Sequence, residues 1–163
     1  MIHPDRIGHV VIKVRDLDRS VKFYTEVMGL ELMGRVPEFK IAFLASNRRD
    51  HHEIGLMEVG EGAEESKFAQ VGLLHVAFRM KNYEELSAAY KELSARGIRI
   101  NATVDHGVAK GVYFPDPDGN ELELYIDGNP EEYGKWPNGY AGREKLDFAP
   151  DAPGLVSSIP TAK

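Results

Sequence analysis

The sequence contains no cysteine among its 163 residues. This absence excludes a disulfide framework, a zinc site with thiolate ligands and a cysteine nucleophile. It is compatible with the cytosol, where disulfides are rare, and we expect the protein to be cytoplasmic. A length of 163 residues with 42% hydrophobic residues nevertheless suffices to bury a core without such cross-links.

Long apolar runs and an excess of positive charge are also missing. No stretch approaches the roughly 18 apolar residues of a membrane span. The residues Met1–Asp5 show no basic segment followed by an apolar one, so we expect neither a signal peptide nor a membrane partner. The formal net charge is −6. Because nucleic acids are bound by basic surfaces, we expect no nucleic-acid partner.

One pattern occurs twice in the chain. The segments Ile7–Val14 and Leu73–Met80 both read as strands, and both have a histidine, His9 or His75, at the third position. Alternation places each histidine on the face that carries polar residues, opposite a wholly apolar face. A single strand histidine is more often a structural residue than a ligand. Two at matched positions of a repeat favour a paired metal site.

Each of these strands is followed by a helical pattern and three further strands. We predict two βαβββ modules, at about residues 7–59 and 73–126, within one domain over residues 1–126. The extension over residues 127–163, which holds the only tryptophan, Trp136, is either loose or packed against the body. The predicted strands are 7–14, 30–35, 39–46, 52–59, 73–80, 98–104, 110–115 and 120–126, the helices 17–28 and 82–96, and the linker 60–67.

Both predicted helices carry start and stop signals. Asp16 and Asn82 are typical N-cap residues, because their side-chain oxygens accept hydrogen bonds from the first helical turn. Gly29 and Gly97 are typical helix ends. The Pro- and Gly-rich segment Pro115–Asn120 predicts a turn between the last two strands.

The last predicted strands of the two modules differ at one matched position. Glu123 alternates away from its apolar neighbours towards the polar face, whereas its counterpart in the first module is Gly55. An exposed charge at a sheet edge is the alternative interpretation of Glu123. His9, His75 and Glu123 together supply two imidazoles and one carboxylate. This set leaves coordination positions open and is typical of non-haem Fe(II) sites.

With these residues in place, the sequence resembles the vicinal oxygen chelate superfamily, and within it the type I extradiol catechol dioxygenases, over about residues 7–126. The resemblance implies an α+β fold. In it, two tandem βαβββ modules form a half-open mixed β-barrel around a metal site, with the helices outside. The resemblance also implies that His9, His75 and Glu123 are the iron ligands.

Further motifs extend the resemblance to residues beside the metal. His106, Tyr113 and Glu123 follow the His…Tyr…Glu order of the family, with a His-to-Tyr gap about two residues shorter. The resemblance implies that His106 and Tyr113 form hydrogen bonds to the substrate. The pair His51-His52 is similar to a His-His pair whose second member is the family's acid/base residue. That similarity favours His52.

Strict strand alternation gives a different result for this pair. It places His51, rather than His52, in phase with Gly55. A bulge at the start of the strand would instead place His52 on the same face as Gly55, and bulges occur next to active sites. On the family resemblance we predict His52 as the acid/base residue, with His51 as the alternative that strand alternation favours.

The resemblance implies an extradiol ring-cleaving dioxygenase that uses Fe(II), with Mn(II) as the alternative metal. Its substrates would be a small aromatic diol and O2, because two adjacent hydroxyl oxygens can chelate the metal beside a third open position. We expect a homo-oligomer, a dimer or higher.

Two other functions are compatible with the same fold. A glyoxalase- or epimerase-like metalloenzyme of this superfamily normally has a ligand on the last strand of both modules, which Gly55 does not supply. A metal-free protein that binds a small molecule such as an antibiotic would not need His9, His75 and Glu123 together.

Overall fold

The computed structural model describes residues 1–65, 69–135 and 145–153. The chain divides into two compact units, one formed by Met1–Lys67 with Asp116–Asn120 and the other by Phe68–Pro115 with Glu121–Lys163. We call them unit 1 and unit 2. Unit 1 contains β1 (Val10–Val14), α1 (Leu17–Glu26), β2 (Glu31–Val36), a 3₁₀ turn (Pro37–Phe39), β3 (Ile41–Ala45) and β4 (Ile54–Glu58). Unit 2 contains β5 (His75–Arg79), α2 (Tyr83–Ala95), β6 (Ala102–Asp105), β7 (Ala109–Pro115), β8 (Glu121–Asp127) and a 3₁₀ helix (Pro130–Lys135).

Each unit contains one mixed sheet, and the two sheets have the same topology. Their strand orders are β1-β4-β3-β2 and β5-β8-β7-β6. The first strand of each module pairs in parallel with the last one, and the remaining pairs are antiparallel. Each sheet has two edge strands, so neither is closed into a barrel. The predicted α+β class and the two βαβββ modules are confirmed.

Both helices begin directly after their predicted caps, whereas α1 ends at Glu26, two residues before the predicted end, and α2 ends at Ala95, one residue before it. The Asp16 carboxylate accepts a hydrogen bond from the Arg19 backbone N–H at 2.8 Å, and Asn82 accepts one from the Glu85 N–H at 2.9 Å. Gly29 and Gly97, which follow the two helices, have φ angles of 68° and 72°. This left-handed backbone strains residues with a Cβ, so glycine is favoured. Within the described part of the chain, neither helix is long and apolar enough to cross a membrane.

In each unit the α-helix packs against the sheet, and alternation along a strand divides the sheet into a buried and an exposed face. Alternation along β1 shows the division, since Ile12 and Val14 are buried whereas Val11 and Lys13 are exposed. The apolar face therefore forms the core, and the face with the predicted histidines stays available for a site. The core side chains include Leu17, Val21, Tyr24, Leu44 and Leu56 in unit 1 and Leu86, Leu93, Val112, Phe114 and Leu122 in unit 2.

The predicted turn between β7 and β8 is part of unit 1. Its Asp118 carboxylate is only 8% exposed. It accepts hydrogen bonds from the Arg15 backbone N–H at 3.0 Å and from the Arg19 guanidinium at 2.6 Å. Hydrogen bonds to ionised groups are stronger than neutral ones, particularly away from water. The turn that local sequence predicts is therefore held by long-range contacts.

We expect Asp118→Ala to lower the free energy of unfolding by about 2 kcal/mol, because it leaves the part-buried Arg15 N–H and Arg19 guanidinium without their acceptor. Asp18→Ala is the matched control, since Asp18 also pairs with an arginine, Arg35, but its side chain is 83% exposed. Exposed ion pairs contribute little, so this variant is expected to change stability by less than about 0.5 kcal/mol. Urea unfolding measures both values. Equal losses in the two variants would contradict a stabilising role for the buried carboxylate.

Part of the C-terminal extension is packed into the core of unit 2. Leu146, Ala149 and Ala152 are buried, and the Thr103 backbone N–H of the edge strand β6 donates a hydrogen bond to Pro153 O at 2.9 Å. Of the two alternatives for the extension, the described residues 145–153 follow the packed one. Trp136 lies outside the described residues.

Candidate metal and active site

The register of the strands supports the match between Gly55 and Glu123. Val11 is the Cα partner of Gly55 in unit 1, and Ala77 is the partner of Glu123 in unit 2. Val11 and Ala77 each follow a repeated histidine by two residues. The two units therefore hold a glycine and a carboxylate at equivalent positions of equivalent sheets.

In unit 2 the carboxylate and the histidine are direct neighbours. Glu123 lies on the central strand β8, between β5 and β7, and is only 7% exposed. Its Oε2 is 3.2 Å from His75 Nε2. The hydrogen bond to Glu123 raises the pKa of His75, against the opposing effect of burial. The alternative interpretation of Glu123 as an exposed edge charge is therefore wrong.

Tyr113 and His106 extend this group of polar side chains. Tyr113 is the Cα partner of Glu123 across β7 and β8, and its ring centroid is 5.7 Å from that of His75. The Tyr113 hydroxyl is 3.2 Å from His106 Nε2. Burial, followed by the charge of Glu123, raises the pKa of Tyr113 strongly. The structure thus brings together all four of the predicted site residues that belong to unit 2.

Gly111 is a residue of this site that the sequence interpretation missed. It lies on β7 near Glu123 and is buried. A Cβ at this position would collide with the Glu123 carboxylate, and it would also approach Tyr113 Cε2 to 3.1 Å. Glycine therefore provides the space that the buried carboxylate occupies. The signal that could have revealed it is a glycine in the interior of a strand, where close approach of another group is one common reason for its presence.

In unit 1 the structure brings His52 next to His9. Their ring centroids are 4.5 Å apart, and the His52 ring is 4.6 Å from that of Phe43. Phe43 is the Cα partner of Gly55, so His52 lies on the same face of the sheet as Gly55. Strand β4 begins only at Ile54, and strict alternation does not extend back to the histidine pair.

His51 also lies close to this pair, but it is placed differently. His52 is 8% exposed, whereas His51 is exposed. The centroid distances from His51 are 4.3 Å to His52 and 6.1 Å to His9. Burial lowers the pKa of His52, and the neighbouring His51 and His9 lower it further. His52 is the member of the pair that has a fixed, mostly buried position.

The comparisons with known proteins identify the family. The family model of the glyoxalase/bleomycin resistance protein/dioxygenase superfamily matches residues 6–124. The chain therefore belongs to this superfamily. In fold it resembles the crystal structure of a glyoxylase/bleomycin resistance protein/dioxygenase domain from Frankia sp. EAN1pec, with a TM-score of 0.67 and 23% identity. The match covers 82% of this chain and 100% of that one.

Curated proteins similar to this chain include both dioxygenases and lyases. The chain is 35% identical to biphenyl-2,3-diol 1,2-dioxygenase 3 of Rhodococcus globerulus, over 78% of this chain and 67% of that protein. It is 32% identical to catechol-2,3-dioxygenase of Bacillus subtilis, over 77% of this chain and only 43% of that protein. A probable lactoylglutathione lyase of Vibrio parahaemolyticus is 31% identical, over 73% of this chain and 88% of that protein. The comparisons thus support an enzyme family with dioxygenase and lyase members.

Proposed function

We propose that this protein is an Fe(II)-dependent extradiol dioxygenase that cleaves the ring of a catechol-type diol with O2. In this proposal His9, His75 and Glu123 are the metal ligands, and Mn(II) is the alternative metal. The observation that carries it is the contrast between two matched positions. Glu123 is a buried carboxylate beside His75, whereas Gly55 supplies no ligand. The set of two imidazoles and one carboxylate leaves positions open for a chelating substrate.

The residues of unit 2 fit a divalent metal. A separation of 3.2 Å between His75 Nε2 and Glu123 Oε2 suits two ligands of one ion, because each ligand atom lies about 2.1 Å from the metal. Burying a carboxylate is costly unless it is paired, and a bound cation would offset that cost. The absence of a side chain at Gly111 leaves room for this carboxylate. Bound Fe(II) would supply the electron-transfer chemistry between the diol and O2.

The remaining residues would position the diol and move its protons. We assign hydrogen bonds to the substrate hydroxyls to Tyr113 and His106, whose side chains already contact each other at 3.2 Å. We assign proton transfer to the His52 imidazole, since histidine can both accept and donate a proton near neutral pH. Phe43 packs against His52 and limits the orientations of its ring.

Oxygen consumption tests the proposal directly. The protein is loaded with Fe(II) without air and then mixed with oxygenated buffer and a panel of substituted catechols. We expect O2 uptake with at least one catechol, together with the visible absorbance of a ring-opened product. No uptake with any catechol, combined with turnover of lactoylglutathione, would instead favour the lyase activity named for the Vibrio relative.

We expect Gly55→Glu to retain the metal but to lower ring cleavage by at least about 100-fold, since small misplacements of reacting groups have effects of that size. The new carboxylate would occupy a coordination position that substrate or O2 requires. The backbone of Gly55 is not left-handed, and a Cβ would lie 3.1 Å from Val11 Cγ2. Because Val11 is 45% exposed, its side chain can move aside, so the variant is expected to fold.

The matched control is Gly55→Ala, which meets the same Val11 side chain but adds no carboxylate. Metal content, thermal unfolding and ring cleavage are measured for both variants. If folded Gly55→Glu cleaves catechols at the wild-type rate, Gly55 does not face the metal and the match to Glu123 has no functional meaning.

A further inference from the structure

We infer that His9, His51 and His52 form an alternative site for a divalent ion such as Zn²⁺ within unit 1, one that shares His9 with the proposed iron site. Their nitrogen ligand atoms lie within 4.8 Å of one another. Among the described residues, no other group of three His, Cys, Asp or Glu side chains brings its ligand atoms this close together. The site goes beyond the proposed dioxygenase function, since it uses His51 and needs neither His75 nor Glu123.

Backbone hydrogen bonds hold two of these histidines side by side. The Val10 N–H donates to Glu53 O at 2.9 Å, and the Glu53 N–H donates to Leu44 O at 3.0 Å. The Glu53 carboxylate accepts a further hydrogen bond from the Ser46 backbone N–H at 2.7 Å. The residues that follow His9 and His52 are thus tied to each other and to β3. A site whose ligands are held before binding loses less entropy when the ion binds.

The chemistry of the three side chains suits Zn²⁺ better than Fe(II). Imidazole nitrogen is a good ligand for zinc, and three histidines with an open fourth position are a known arrangement for this ion. At the same ligands, zinc binds more tightly than Fe(II). His9 and His51 are exposed and accessible to an ion. His52 is buried against the ring of Phe43 and is the buried ligand of the three. The nearby Asp50 and Glu53 are engaged with Arg6 and Ser46.

Occupation of this site would antagonise the proposed dioxygenase. His9 is one of its three proposed iron ligands, and His52 is its proposed acid/base residue. An imidazole nitrogen bound to zinc can neither ligate iron nor exchange a proton. The three-histidine site would therefore make the enzyme sensitive to inhibition by zinc, although the site itself exists whether or not the enzyme is a dioxygenase.

Titration with Zn²⁺ alone tests the inference in the variant His75→Ala/Glu123→Gln, which lacks two of the three proposed iron ligands. We expect this protein to bind one Zn²⁺ per chain by isothermal titration calorimetry. Adding His51→Ala is expected to weaken zinc binding at least tenfold, because even outer-shell changes at metal sites cost about 10–100-fold in affinity. Adding His3→Ala instead is the control, since His3 is also an exposed histidine.

NMR of the imidazole rings provides a second measurement, with zinc-induced shifts expected at His9, His51 and His52. The inference is overturned if the His75→Ala/Glu123→Gln protein binds no zinc, or if His51→Ala and His3→Ala have equal effects. Either result leaves the proposed function untouched, because iron binding by the wild-type protein is measured separately.

Discussion

The variant His75→Ala is expected to lose most of its bound iron and all measurable ring cleavage. His75 is one of three proposed protein ligands, and water is a poor replacement for an imidazole. Since outer-shell changes alone lower metal affinity by about 10–100-fold, removal of a direct ligand should lower it at least as much. The measurement is iron content per chain after anaerobic loading and desalting, followed by O2 uptake with the best catechol.

The fold is expected to survive this substitution. His75 is the first residue of β5, and its side chain is one-third exposed. Thermal unfolding of His75→Ala should therefore stay close to that of the wild type. The control is His3→Ala, which removes an exposed histidine and is expected to keep its iron. Wild-type iron content in folded His75→Ala would rule out His75 as a ligand.

The variant His52→Phe is expected to retain iron and substrate binding while losing turnover by about 10²–10⁴-fold, the usual contribution of a positioned acid/base residue. Phenylalanine is also a planar aromatic side chain, but it has no group that can accept or donate a proton. Because His52 is buried beside the ring of Phe43, an aromatic replacement fits its surroundings. Iron content, substrate-induced spectral change and steady-state rate are measured together to separate binding from turnover.

The companion variant His51→Phe decides between the two adjacent histidines. A loss of turnover confined to His51→Phe would contradict the assignment of His52. It would make His51, the residue that strand alternation favours, the acid/base residue. A fall in iron content in His52→Phe would have a different meaning, since it would make His52 a ligand rather than an acid/base residue. Both variants are loaded with iron by the same procedure and measured side by side.

Much of the candidate site in each unit could be predicted from the chain alone, because the relevant signals are local and periodic. Alternation separated the apolar face of β1 from the face that follows His9. The sequence repeat matches Gly55 with Glu123, and the strand register gives the same match. The caps Asp16 and Asn82 are equally local, since each depends on a hydrogen bond three residues away.

The arrangement around His52 could not be predicted in this way. Alternation applies only inside a regular strand, and the histidine pair precedes the first residue of β4, Ile54. The position of His52 depends on its packing against Phe43 from a neighbouring strand and on the hydrogen bond between Val10 and Glu53. These contacts join residues that are distant in sequence, and no periodic pattern records them.

By itself, therefore, the sequence determined the two βαβββ modules, the helix ends and the matched positions that carry His9, His75, Gly55 and Glu123. The tertiary structure alone decided that Glu123 is buried in the space left by Gly111, that His52 rather than His51 has the fixed position, and that Asp118 is held by unit 1. The physical reason is the range of the interactions. Periodicity and capping act within a few residues, whereas burial and ion pairing depend on which distant segments the fold brings into contact.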